Sequence, residues 1–316
     1  MSKVAFVFPG QGSQFVGMGQ ALVEQSAAAR QIFEQADEAL GFSLSRLCFE
    51  GPEEELRLTA NTQPAILTMS VAVLAALREK RPDYAPDYVA GHSLGEYSAL
   101  VAAGAISFSD AVKTVRARGQ FMEEAVPAGQ GAMAAVLNLD RAKLQAVCEE
   151  VSAAGHPVQL ANLNSPGQIV ISGSAEGVKL AGEKAKAAGA KRVLPLNVSG
   201  PFHSSLMKPA AEKLKGVLSG ISVQDAKIPV VANVNARPVT EAAAIVEKLV
   251  EQVAAPVLWE DSVQWMAESG VTTFVEIGPG KVLAGLIKKT APAETRIYSV
   301  QDMESLTELL NGGVIC

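Results

Sequence analysis

The sequence predicts an α/β chain. A large subdomain is expected to hold a parallel sheet with flanking helices, and a smaller ferredoxin-like subdomain is expected to be inserted into it. Three observations point there. Short apolar runs alternate with helical patterns towards both ends of the chain, as a parallel sheet with crossover helices requires. The pattern changes after Pro127-Ala128-Gly129 and resumes near residue 198, giving a large subdomain of 1–127 and 198–316 around an insert of 128–197. Finally, Gly91-His92-Ser93-Leu94-Gly95 lies between a predicted strand and a predicted helix.

Each element has its own grounds. Val4-Ala5-Phe6-Val7-Phe8, stopped by Pro9-Gly10, reads as a buried strand. It is shorter than the ~7–15-residue apolar region of a secretory signal. The glycine-rich loop Pro9-Gly10-Gln11-Gly12-Ser13 follows, then helical spacing from about Gly19 to Leu40, closed by Gly41. A long helix is expected after Asn61-Thr62-Gln63, with Pro64 in its first turn, where a missing N–H costs little. It ends in Arg78-Glu79-Lys80-Arg81, whose cations suit a helix C-terminus. Its apolar run Ala65–Leu77 falls short of the ~20 residues that span a bilayer and reads as a buried helix. Tyr88-Val89-Ala90 is a short strand, Leu94–Ala103 a helix ended by Gly104, and Ser109–Ala125 a helix with Ser109 as N-cap.

Within the insert, strand Ala132–Leu137, helix Arg141–Ala153, strands Val158–Ala161 and Gln168–Ser172, helix Ala175–Ala188 and strand Arg192–Asn197 make the β-α-β-β-α-β order. The alternation then resumes with helix Leu206–Leu218, strand Pro229–Ala232, helices Ala242–Gln252 and Asp261–Glu268, and strand Thr273–Ile277. Gly278-Pro279-Gly280 leads into helix Val282–Lys289.

Composition narrows the function. The 316 residues are 48% apolar and 19% charged, which excludes disorder and supplies a large core. A net charge of −6 argues against a nucleic-acid partner, whose phosphates need a basic face. No segment reads as membrane-inserted, so a cytoplasmic protein with reduced cysteines is expected. Cys48, Cys148 and Cys316 are far apart and make neither a disulfide framework nor a zinc site; they read as packing or tail residues.

In a strand–turn–helix context, G-x-S-x-G is a nucleophile elbow. The glycines allow a sharp turn, Ser93 Oγ projects from it, and the next helix aims backbone N–H groups at negative charge forming there. Serine needs a base, and the chain has three histidines. His92 adjoins the serine, where side chains diverge, and suits a local packing role. His156, in Gly155-His156-Pro157, sits on a solvated turn of the insert. His203, in a loop at the return to the large subdomain, is the base by elimination. No acidic residue presents itself to orient it.

Phe8-Pro9-Gly10-Gln11-Gly12-Ser13-Gln14, Gly91-His92-Ser93-Leu94-Gly95-Glu96-Tyr97, Arg116-Ala117-Arg118-Gly119, Asn162-Leu163-Asn164-Ser165-Pro166-Gly167-Gln168, Phe202-His203 and Glu276-Ile277-Gly278-Pro279-Gly280 together resemble malonyl-CoA–acyl carrier protein transacylases. The matches run in order over nearly the whole chain. The resemblance implies transfer of malonyl from malonyl-CoA to the phosphopantetheine thiol of acyl carrier protein, through a malonyl-serine, in fatty-acid biosynthesis. It implies neither metal nor redox cofactor. By the same resemblance Ser93 is the nucleophile, His203 its base, and the N–H groups of Gln11 and Leu94 the oxyanion hole. Arg118 clamps the malonyl carboxylate, and the main-chain carbonyl of Gln252 orients the histidine. An offset of one residue would move that last role to Glu251 or Val253. Gln63 and Asn162 match polar positions near the pocket, and the bulk of Phe202 matches relatives that select malonyl. Carrier proteins of this type are acidic, so docking calls for a local basic patch, for which Lys113, Arg116, Lys208, Lys281, Lys288 and Lys289 are available.

The alternative is a serine hydrolase or thioesterase of the α/β-hydrolase class, which shares G-x-S-x-G. That class places an acid and then a histidine after the serine, the histidine near the chain end. Here no histidine follows His203 in the long remainder of the chain, which counts against it.

Overall fold

Ala5, Phe6, Val7 and Phe8 are all buried, as consecutive apolar side chains must be on a strand covered on both faces. The computed structural model, which describes residues 2–312, places this strand centrally in the larger of two sheets; Cys316 lies outside the described residues. The strands are β1 (Lys3–Phe8), β2 (Tyr88–Gly91), β3 (Gly131–Leu137), β4 (Val158–Ser165), β5 (Gln168–Ser174), β6 (Arg192–Pro195), β7 (Val230–Ala232), β8 (Arg237–Val239), β9 (Val271–Ile277) and β10 (Arg296–Val300).

The larger sheet has the order β10-β9-β1-β2-β7-β8. Its pairings are parallel except the last, where β8 returns antiparallel to β7. The parallel sheet expected from the sequence is present, and β8 adds an antiparallel edge strand that the sequence does not signal. Its three residues, Arg237-Pro238-Val239, carry no apolar run, and the proline is tolerated because the strand is an edge. The smaller sheet, β4-β5-β3-β6, is antiparallel throughout, which is the ferredoxin-like arrangement. Its core joins Val136, Ile169 and Ile171 to Leu144 and Val151 of helix Arg141–Ala153 and to Val178 and Ala181 of helix Ala175–Ala187.

Several helices differ from expectation. The single helix expected from Gly19 to Leu40 is two, Gln20–Gln25 and Ala27–Leu40, broken at Ser26. Ser26 takes an extended backbone so that its Oγ accepts from Ala29 N (3.1 Å) and donates to Glu79 Oε2 (2.7 Å). The cap of helix Phe108–Glu124 is Ser107, not Ser109; its Oγ accepts from Asp110 N (3.1 Å). Short helices Leu44–Glu50 and Glu53–Arg57, strand β10 and helix Met303–Asn311 were not anticipated.

The long helix starts at Thr59, ahead of the expected start after Gln63, and runs 22 residues to Lys80. By length and composition it could span a membrane, yet it is buried as the core helix of the larger unit. The earlier start puts Pro64 inside the helix, where it cannot donate to the carbonyl of Ala60. Arg116 Nη1 donates to that carbonyl instead (3.2 Å), replacing the lost bond from the neighbouring helix. The two helices meet tightly there: a Cβ on Gly119 would lie 2.7 Å from Ala60 Cα. This crossing brings Arg118 beside Gln63.

The two sheets are joined by main chain. Val257 N donates to Ala161 O (2.8 Å), and Leu163 N donates to Val257 O (2.9 Å). Val257 packs in the core of the larger sheet, and its neighbour Leu258 packs against the core of the smaller one.

Candidate active site

Three elements converge where β2 ends. Gly91 closes the strand, Ser93 turns the chain with φ +54°, and helix Gly95–Ala102 begins at once. A left-handed backbone is costly for a non-glycine residue, so contacts must hold it. No side chain fits on either flanking glycine. A Cβ on Gly91 would lie 1.9 Å from the Gly95 carbonyl, and one on Gly95 would lie 2.2 Å from Phe8 O. Likewise, a Cβ on Gly10 would lie 2.5 Å from His92 O, so the loop after β1 rests directly on the elbow.

Ser93 Oγ is 2.8 Å from His203 Nε2, and His203 Nδ1 is 2.9 Å from the main-chain oxygen of Gln252. A carbonyl only accepts, so Nδ1 carries the proton and Nε2 presents a lone pair to the serine hydroxyl. Burial, and then the positive charge of Arg118, lower the His203 pKa to about 3, which keeps the ring neutral. Among the described residues no carboxylate bonds to this histidine.

Arg118 is buried at 1% exposure. Its Nη1 donates to Gln63 Oε1 (2.7 Å), and its Nη2 donates both to Gln252 Oε1 (2.9 Å) and to Ser93 Oγ (3.0 Å). Its Nε has no partner among the described residues, and the guanidinium lies 5.7 Å from the ring centre of Tyr97. The hydroxyl is thus arranged to donate to His203 while accepting from Arg118.

The backbone N–H groups of Gln11 and Leu94 donate to no protein acceptor among the described residues. They belong to the two segments that Gly10 and Gly95 bring into contact, which leaves two donors available beside the hydroxyl. The Gln11 side chain is engaged elsewhere, donating to Thr59 Oγ1 (3.2 Å). A cleft of about 760 Å³ opens from this loop towards Leu58, Leu196 and Ser199.

Other anticipated residues are less direct. Phe202 is buried in the core of the larger unit, against Gly200. Asn162 is buried on β4, its backbone bridged to Val257, and its side chain bonds to none of these groups. Asn164, two residues on, reaches the elbow instead: its Oδ1 is 2.8 Å from His92 Nε2. His92 also packs on the Trp259 ring, centroids 5.8 Å apart, and burial lowers its pKa. His156 stays on its turn, half-buried. Among the described residues no cluster of three or more metal-ligating side chains occurs.

The sequence offered no view of the support beneath the elbow. Asn233 spans it: Nδ2 donates to Gly91 O (2.7 Å), and Oδ1 accepts from Ser93 N (2.8 Å). Glu96 Oε2 accepts from Asn233 N (3.0 Å) and Gln252 Nε2 (2.9 Å). Gln252 Nε2 also donates to Ser93 O (3.0 Å). Gln252 therefore serves the histidine with its main chain, and the serine and arginine with its side chain. Glu96 stands within the elbow motif, but nothing in the motif says which distant groups it meets.

The chain is similar to known proteins along nearly its whole length. The profile of the acyl transferase domain family matches residues 5–309. The chain is 60% identical over 306 residues to the malonyl CoA-acyl carrier protein transacylase of Bacillus subtilis, covering 97% of this chain and 96% of that protein. Identity to the Staphylococcus aureus protein of the same name is 48%, covering 97% of this chain and 98% of that one. Among solved structures, the acyl-carrier-protein S-malonyltransferase of Burkholderia pseudomallei superposes with a TM-score of 0.94 at 50% identity, covering 98% of this chain and 99% of that one. A malonyl-transacylase solved in complex with a type II PKS acyl-carrier protein superposes at 0.95 with 47% identity, covering 99% and 100% of the two chains.

Proposed function

The chain belongs to the malonyl CoA-acyl carrier protein transacylases, and we propose that it moves malonyl from malonyl-CoA to the phosphopantetheine thiol of an acyl carrier protein through an ester on Ser93. The observation that carries the assignment of roles is the chain of contacts Gln252 O, His203, Ser93 Oγ, at 2.9 and 2.8 Å, with buried Arg118 3.0 Å from the same hydroxyl.

Ser93 Oγ attacks the thioester carbon while its proton passes to His203 Nε2. The oxygen of the tetrahedral intermediate accepts from the N–H groups of Gln11 and Leu94. Collapse breaks the C–S bond, and the departing CoA sulfur takes the proton from His203. The carrier-protein thiol then attacks the malonyl-serine ester by the same steps, giving its proton to His203, which returns it to Ser93. A main-chain carbonyl suffices to orient the imidazole, since it fixes the tautomer as a carboxylate would.

Arg118 offers paired N–H donors to the carboxylate by which malonyl differs from acetyl. That pairing also acts on the base. The charge of Arg118 is the second cause of the lowered His203 pKa, so a substrate carboxylate on Arg118 offsets it and strengthens His203 as a base. Malonyl supplies that help and acetyl does not. The substrates are water-soluble, which fits action in the cytoplasm.

Intact-mass analysis after mixing with malonyl-CoA tests the assignment. The wild-type chain should gain one malonyl group, and Ser93→Ala should gain none while keeping its fold by circular dichroism. An adduct of undiminished yield on Ser93→Ala would reject Ser93 as nucleophile.

A further inference from the structure

Arg118 and Glu96 are both buried, and neither has an ion-pair partner among the described residues. Buried charge without compensation is costly. Arg118 donates to neutral oxygens alone, Gln63 Oε1, Gln252 Oε1 and Ser93 Oγ. One amide further on, Gln252 Nε2 donates to Glu96 Oε2 (2.9 Å).

The orientation of that amide is fixed by its other contacts. Gln252 Nε2 also faces Ser93 O and, at 3.3 Å, Asn233 Oδ1, and both of these only accept. Asn233 is itself fixed, because its Oδ1 takes the Ser93 N–H and its Nδ2 donates to Gly91 O. The carbonyl end of Gln252 must therefore face Arg118, and its amino end must face Glu96. A carboxylate and a guanidinium stand on opposite ends of one polarised amide.

We propose that Glu96 is the resident counter-charge of Arg118, acting through the Gln252 side chain, and that it sets how tightly the site grips a substrate carboxylate. The inference rests on Arg118 being the partner of that carboxylate. Between turnovers Glu96 balances Arg118. When a dicarboxylic acyl group arrives, the two carboxylates share one cation, and the grip is weaker than a lone arginine would give. A weaker grip lets the acyl group leave with its acceptor. Glu96 is thus a positioning residue that need not touch the substrate.

The surrounding charges are consistent with this role. Burial pushes the Glu96 carboxyl up to about 7, against the hydrogen bonds from Gln252 and Asn233 and the charges of Arg118 and Lys248. Tyr97, on the same helix, is held well above the usual phenol range and stays neutral. His203 and His92 are lowered and stay neutral. The Arg118 guanidinium stays charged, so Glu96 is the group in this cluster that changes charge near neutrality.

Glu96→Gln isolates the charge, because both bonds to the carboxyl end on one oxygen, which the amide retains. At about pH 8, where Glu96 is ionised, the variant should lower KM for malonyl-CoA by ~3–10-fold, a modest share of the unit-charge interaction expected at an effective dielectric near 20. KM for acetyl-CoA should not move; the comparison is made on KM because the charge on Arg118 also bears on His203 and so on kcat for both substrates. Equal changes in KM for the two substrates, or no change in either, would overturn the proposal. The wild-type chain gives a test that does not depend on the variant folding. The ratio of KM for malonyl-CoA to KM for acetyl-CoA should fall as pH is lowered from about 8 to about 6, as Glu96 gains its proton; the CoA phosphates cancel in the ratio. A flat ratio would overturn the proposal. Arg118→Ala separates the two levels. If it abolishes the malonyl preference while Glu96→Gln changes nothing, only the counter-charge fails; if the preference survives Arg118→Ala, the role of Arg118 fails first.

Discussion

At the scale of the residue, chemistry is concentrated in side chains that differ sharply in what surrounds them. His203 is buried, neutral and aimed at Ser93, whereas His156 is on a turn and His92 is tied to Asn164 and Trp259. His203→Ala should lower malonyl transfer by ~10²–10⁴-fold, the usual contribution of a general base. His156→Ala should be near wild type, and His92→Ala should act mainly on stability. Steady-state transfer assays at saturating substrate check the order; comparable rates for His203→Ala and wild type would mean another group is the base. Arg118→Ala should cut malonyl transfer steeply while sparing acetyl transfer, since sites that pair a buried polar group can discriminate by ~10⁴ or more. Arg118→Lys should restore part of the preference, and an equal loss for both substrates would make Arg118 structural. Much of this was legible. The elbow follows from G-x-S-x-G, and the short list of histidines left one candidate. Arg118 and Gln252 came from the family pattern. Asn233 and the side chain of Gln252 were not legible, because they reach the elbow only once β7 lies beside β2 and helix Ala242–Gln252 packs behind it. Asn164 was hidden for a related reason: the register of β4, not the motif, decides which asparagine meets His92.

At the scale of the element, apolar periodicity located most strands and helices, and local competition moved their ends. Ser26 broke a continuous helical pattern because its hydroxyl and backbone had better partners outside it. Strand β8 was missed because a three-residue edge strand needs no apolar run. The case of Pro64 yields a prediction. Proline favours a helix start, yet here it sits within the helix because Arg116 replaces the hydrogen bond it deletes. Arg116 also donates to Asn61 Oδ1 and packs over the Phe42 ring. Arg116→Ala should leave the Ala60 carbonyl without a donor and cost about 1–3 kcal/mol, seen as a lower midpoint in denaturant unfolding. The variant should keep the wild-type malonyl-to-acetyl ratio, because Arg116 bonds to the Thr59–Lys80 helix and not to the elbow. Unchanged stability would mean that water serves the carbonyl equally well. Pro64→Ala in the Arg116→Ala background should recover part of the loss, since it restores a main-chain donor to Ala60.

At the scale of the molecule, the site exists only where two sheets meet. The larger unit supplies Ser93, Arg118 and Gln252, while the insert supports them from the side. Asn164 holds His92; Gln159 Nε2 donates to His203 O (3.3 Å), and its Oε1 accepts from Ser205 N (2.9 Å). Such second contacts are useful only if the units do not drift, and the seam at Val257 provides that. Its N–H and carbonyl bond to Ala161 and Leu163 of β4, its side chain fills the core of the larger sheet, and Leu258 turns into the core of the smaller one. Adjacent residues committed to different cores cannot part without exposing one of them, so the two units should unfold together. Tryptophan fluorescence, reporting Trp259 and Trp265 near the seam, and far-ultraviolet circular dichroism, reporting both sheets, should give coincident transitions. Val257→Pro removes the donor to Ala161 O and forces a fixed φ on the seam, a change worth about 2–3 kcal/mol or more. In that variant the two signals should separate. Transfer should fall as well, because His203 loses the steady support of Gln159. Separate transitions in the wild-type chain would show that the seam does not couple the units. Coincident transitions and full activity in Val257→Pro would show that packing, not the main-chain bridge, holds them.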